Sequence, residues 1–72
     1  MNNTFRRFIL RRDEDETGVS GTGLVAYGVQ YPDGIVVTRW NARIAQTCVW
    51  ERLEDVVSVH GHNGKTKIEW ID

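Results

Sequence analysis

The sequence predicts a mainly β domain: a small antiparallel five-stranded sheet or SH3-like barrel, with one short helix before the last strand. Three observations lead there. Apolar and polar residues alternate through several short segments, the period of a half-buried strand. The turn signals Pro32-Asp33-Gly34 and Asn63-Gly64 separate such segments. Leu53 to His60 instead carries an apolar face at helical spacing.

The first strand is Phe5 to Arg12 (FRRFILRR), a β-compatible run flanked by arginines. Asp13 to Gly21 (DEDETGVSG) is acidic and then glycine-rich, so it reads as a loop. Thr22 to Tyr31 (TGLVAYGVQY) alternates, with Val25, Tyr27, Val29 and Tyr31 on one face and Leu24, Ala26, Gly28 and Gln30 on the other. Gly28 removes a side chain in mid-strand, as at a bulge or a close approach of another backbone. Proline presets φ and glycine accepts φ > 0, so Pro32-Asp33-Gly34 turns the chain into the β-branched strand Ile35 to Trp40 (IVVTRW). Asn41 to Gln46 connects to a short strand, Thr47 to Glu51.

Leu53 to His60 (LEDVVSVH) pulls two ways. Leu53, Val56, Val57 and His60 share a helical face, and Glu54 and Asp55 suit a first turn. The β-branched valines favour a strand. The one- to two-turn helix is the preferred reading. The last strand is Thr66 to Ile71 (TKIEWI), after the Asn63-Gly64 turn.

The 72 residues make a single domain, 1–72. A chain this short hides only about 60% of its unfolded surface. Its one cysteine, Cys48, allows no internal disulfide and is expected to be a buried, inert thiol. Packing of three tryptophans or self-association must compensate, and the sequence leaves a homo-oligomer open. A net charge of −1 gives no global field toward nucleic acid or membrane. No apolar run approaches the roughly 20 residues of a membrane span. Met1 to Thr4 lacks the apolar segment of a signal peptide, so a cytoplasmic setting is expected.

Four segments carry chemistry worth weighing. Asp13 to Gly18 matches the opening of an EF-hand loop, but the twelfth position is Leu24 instead of a bidentate glutamate. It reads better as a solvated acidic loop. Thr17-Gly18-Val19-Ser20-Gly21-Thr22-Gly23 concentrates glycines and hydroxyls whose backbone N–H groups suit a nest for phosphate or carboxylate. It lacks the lysine of a P-loop, and a plain bulged connection is the competing reading. His60-Gly61-His62 is too sparse for zinc, which takes three or four protein ligands, so no metal is expected; a capping pair and a ligand contact both stand.

The fourth is the aromatic and basic set Tyr27, Tyr31, Arg39, Trp40, Trp50, Arg52 and Trp70. Tryptophan over a planar ligand with arginine on its phosphate is a common way to hold nucleotides. A core this small is expected to absorb two of the three tryptophans. Arg6-Arg7 and Arg11-Arg12 read equally as a counterweight to the acidic loop or as anion contacts. No catalytic set emerges, because Ser20, His60 and Asp55 are an inventory without geometry. The chain is expected not to be an enzyme and to need no cofactor.

Together, RRDEDETGVSGTGLVAYGV, YPDGIVVTRW and VHGHNGKTKIEWID resemble a group of small bacteriophage and prokaryotic proteins. That group shares an RDxDxTGVSGTG loop, a DGxVVxRW hairpin and a VHGHxGxTxxxW ending. The resemblance spans Phe5 to Asp72 and brings a genomic setting, with no activity and no site. It implies a small non-catalytic protein that binds and disables a host target, either a host protein or a nucleotide second messenger used in defence. The candidate ligand face combines Thr17, Gly18, Ser20, Gly21 and Thr22 with Arg39, Trp40, His60 and His62. The rival readings are a nucleic-acid-binding β-barrel and a virion-associated oligomer subunit.

Overall fold

The computed structural model describes residues 4–13, 23–61 and 64–72. Its elements are β1 (Arg6–Arg12), β2 (Gly23–Gln30), β3 (Val36–Trp40), β4 (Thr47–Trp50), α1 (Leu53–His60) and β5 (Thr66–Trp70). The five strands form one antiparallel sheet in the order β4-β3-β2-β1-β5. The sheet is not closed, so of the two expected forms the open sheet is the one adopted. The chain must pass from the β4 edge to the β5 edge, and α1 touches both. Its 8 residues cover about 12 Å of that crossing. No helix among the described residues is long and apolar enough to cross a membrane.

The helix forms where the apolar spacing asks for it. Val56 is fully buried and Leu53 half-buried, while Val57 and Val59 face solvent. Glu54 and Asp55 in the first turn and His60 in the last complement the helix dipole. Under α1 lie Phe8, Leu10, Val25, Ala26 and Val36, ringed by Trp40, Trp50, Leu53, Ile68 and Trp70. The hairpin between β2 and β3 closes through Tyr31 N–H to Ile35 C=O (2.8 Å), with Gly34 at φ +96°. That is a three-residue loop ending in a left-handed glycine.

Two positions on β2 depart from simple alternation. Leu10 pairs with Ala26 but Arg11 pairs with Leu24, so Val25 is the extra residue of a β-bulge. Val25 therefore turns inward beside Ala26, and does not share a face with Tyr27, Val29 and Tyr31 as alternation predicts. Asn41 holds the bulge by donating its N–H to Val25 C=O (3.0 Å) and its amide to Leu24 C=O (3.1 Å). Gly28 marks a close approach, though of a ring and not a backbone. The Phe8 ring occupies the space a Cβ would take. Phe8 in turn meets Trp70 edge-on at 5.3 Å, and the Arg6 guanidinium sits 3.8 Å from the Trp70 ring centre.

Gly28→Ala forces the Phe8 ring off its seat and is expected to cost about 1–3 kcal/mol, the usual range for overpacking. Urea unfolding checks it, and an unchanged midpoint would refute the packing described.

Asp72 gives a second prediction. Its carboxylate accepts from Arg7 Nε (3.0 Å), Nη2 (2.7 Å) and backbone N–H (2.9 Å). The side-chain bonds first, and then the backbone bond, lower its pKa from 3.8 to about 2. The folded state thus favours the ionised form. Its contribution is complete above the unfolded value and disappears as pH falls through the folded one. Asp72→Asn should lower the melting temperature near pH 6 and lose less of it on acidification toward pH 2 than the wild type does. Parallel melting curves across that range decide it.

Candidate ligand-binding site

Three rings meet on the helix side of the sheet, with His60 between Trp40 and Trp50, which stand toward opposite ends of the antiparallel pair β3–β4. Trp40 closes β3, Trp50 closes β4 and His60 closes α1. The His60 ring lies 4.6 Å from Trp40 and 5.5 Å from Trp50, edge-on to both. Register puts Trp40, Trp50 and Thr38 on the side of the sheet that α1 covers. Trp50 Nε1–H donates to the buried Thr38 hydroxyl at 2.9 Å, which fixes the indole. All three residues are half-buried.

A hydrogen-bonded path leads from this cluster to a buried charge. Gly61, next to His60, accepts at its carbonyl from Thr66 N–H (3.0 Å) and Gly64 N–H (3.1 Å). The Thr66 hydroxyl accepts from Arg12 Nε at 2.8 Å. Arg12 is only 3% exposed, so its guanidinium is a cation withdrawn from water. Asp13 N–H donates to Lys65 C=O at 2.8 Å, tying the residue before the glycine-hydroxyl segment to the turn after α1. Arg12, Trp40 and His60 thus belong to the end of the sheet from which that segment departs.

The expected ligand face is only partly assembled in this way. Trp40 and His60 come together. Arg39 does not join them, because successive strand residues point to opposite faces. Its guanidinium lies on the other side of the sheet, donating to Thr47 Oγ1 at 2.7 Å. Thr17, Gly18, Ser20, Gly21, Thr22 and His62 lie outside the described residues, as does most of the EF-hand-like stretch. The Asp13 carboxylate at its start is 3.5 Å from Lys67 Nζ.

Two residues outside the expected ligand face belong to this site: Trp50, named in the aromatic and basic set with no tryptophan singled out as core, and Arg12, read with Arg11 as a counterweight to the acidic loop or an anion contact. Strand alternation separates that pair. Arg11 points outward to Glu69 (2.6 Å), while Arg12 follows Phe8 and Leu10 inward. None of the three tryptophans is fully buried, where two were expected in the core. Cys48 is also half-buried, not buried, because it sits on the short edge strand β4.

His60→Ala removes two edge-on ring contacts, each worth about 0.5–1.5 kcal/mol beyond its buried area. Tryptophan emission should shift to the red and stability should fall by about 1–3 kcal/mol. Unchanged emission would refute the contact of His60 with the two indoles.

Neither a curated protein nor a solved structure matches the chain. A protein-family model, that of the Acb5 phage protein, matches residues 5–72. That match covers the sheet, the helix and the ring cluster, and by it the chain belongs to the Acb5 phage protein family.

Proposed function

We propose that this is a phage-encoded, non-enzymatic binding protein that sequesters an anionic, nucleotide-like ligand in the host cytoplasm as a counter-defence measure. The observation that carries the reading is the path His60–Gly61–Thr66–Arg12 beside Trp40. It puts half-buried aromatic rings and a water-excluded cation toward one end of the sheet. A nucleotide asks for that pairing: a ring to stack on and positive charge for its phosphate. The glycine-hydroxyl segment Thr17 to Thr22 would add backbone N–H groups toward the same phosphate. The family's Acb label suggests an anti-CBASS role, which agrees with a counter-defence ligand.

A nucleic-acid binder using the surface arginines is less well supported. Arg7 and Arg11 are held by Asp72 and Glu69, and the net charge is −1. A salt-steep gel shift would be needed to revive it.

The test is a panel of cyclic and linear nucleotides, read by tryptophan fluorescence and thermal shift. A true ligand should quench emission and add about 2.7 kcal/mol of stability at one hundred times its dissociation constant. Trp40→Leu and Arg12→Met should each abolish the response in folded protein. A panel that moves neither signal would overturn the proposal.

A further inference from the structure

The sheet face turned away from α1 is organised like an interface. Register sets Ile9 beside Tyr27 across β1 and β2, and in the next row of the same face Val29, Val37 and Val49 across β2, β3 and β4. Tyr27 is 50% exposed and Val49 72%. Along the β1–β5 side of this face runs a charged rim. Arg7 pairs with Asp72 at 2.7 Å, Arg11 with Glu69 at 2.6 Å and Lys67 with Asp13 at 3.5 Å. An apolar middle with a polar border is the usual anatomy of a protein–protein contact.

We propose that this face pairs with the same face of a second copy, forming a two-fold dimer. Charge is the first argument. The rim pairs its acidic and basic groups within the chain, so the face offers no net field that would select an oppositely charged partner. It is self-complementary instead. A two-fold axis running along the strands, between β1 and β2, sets β3 of one copy over β5 of the other. Arg39 then comes opposite the Glu69 position of the second copy. Both lie in the row that crosses Tyr27 and Ile9.

Area is the second argument. The four strands that overlap, β3, β2, β1 and β5, are about 19 Å wide at about 4.8 Å spacing, and their length averages about 20 Å. That projects to about 400 Å², and side-chain relief raises it toward the about 800 Å² per partner of a stable interface. Packed sheets stack about 10 Å apart. Tyr27 is then the central aromatic anchor, the residue type that dominates such contacts.

Sedimentation or light scattering of purified wild-type protein tests this. The mass should be twice the 8.3 kDa of the chain. Val37→Glu buries an unpaired carboxylate in the contact and should raise the dimer dissociation constant at least about a hundredfold. Val57→Glu, on the outward side of α1, should leave it unchanged, with far-ultraviolet spectra confirming that both variants fold. If Val37→Glu does not fold, Tyr27→Lys applies the same test at a half-exposed position. A wild type of single-chain mass at about 100 μM would overturn the proposal. So would a dimer broken by Val57→Glu alone. A single chain that enters a mixed complex only with host protein assigns the face to a foreign partner and also overturns it.

Discussion

Phe8 reaches the core because position 28 has no side chain. The ring lies in the space where any other residue would place its Cβ, and from there it touches Trp70 on the edge strand. Glycine in mid-strand costs about 0.5–1 kcal/mol in chain entropy relative to alanine. Burial of a phenylalanine side chain, worth about 1.5–3 kcal/mol, outweighs that cost. The same cross-strand row continues from Gly28 to Thr38, whose hydroxyl receives the Trp50 indole. Trp50 in turn meets His60. The seat of the central ring and the geometry of the aromatic cluster are thus consecutive links in one row.

A second row fixes the other half of the cluster. The bulge at Val25 adds a residue to β2 opposite the Leu10–Arg11 step and sharpens the local twist. Asn41 clamps that bulge with its backbone and its side-chain amide, and Asn41 directly follows Trp40. Trp40 is therefore held from both sides, by its pairing with Ala26 and by the clamp one residue later. Below it, Arg12 keeps its charge under the sheet through the Thr66 hydroxyl. Burying a guanidinium is costly unless its donors are met. Among the described residues, the Thr66 hydroxyl answers the Arg12 Nε.

Much of this was legible in the sequence. Each strand falls within one or two residues of its expected bounds, since turn chemistry at Pro32-Asp33-Gly34 and Asn63-Gly64 is local. The helix runs from Leu53 to His60 because the positions of Leu53, Val56 and His60 outweigh the β-branched preference of its valines. The opening of the sheet was not legible. It depends on a helix bridging two edge strands, a tertiary matter on which strand order is silent. The Val25 bulge was hidden because inserting one residue reverses alternation without any change of residue type. The site was harder for a different reason. Arg39 and Trp40 are neighbours in sequence, yet a strand sends neighbours to opposite faces. Applying that rule would have separated them. The same rule applied to Phe8, Leu10 and Arg12 would have brought Arg12 inward.

The two faces of the sheet divide the polar chemistry unequally. On the helix side, Arg12 is drawn in and its Nε is met by the Thr66 hydroxyl, at the same end of the sheet as Trp40. On the open side, arginines sit across from carboxylates that already satisfy them. The helix side is therefore the proposed ligand side, whereas the satisfied rim only excludes water beside an apolar patch. Val57 and Val59 on α1 do not compete for that second role. Isolated apolar residues are normal on a soluble surface, whereas two adjacent apolar rows that together touch four strands are not. Contact through the open face also leaves the sheet's end uncovered. Each copy of a pair would keep its own ring cluster and its own Arg12, and joining two thin sheets would add the burial that a chain of 72 residues lacks.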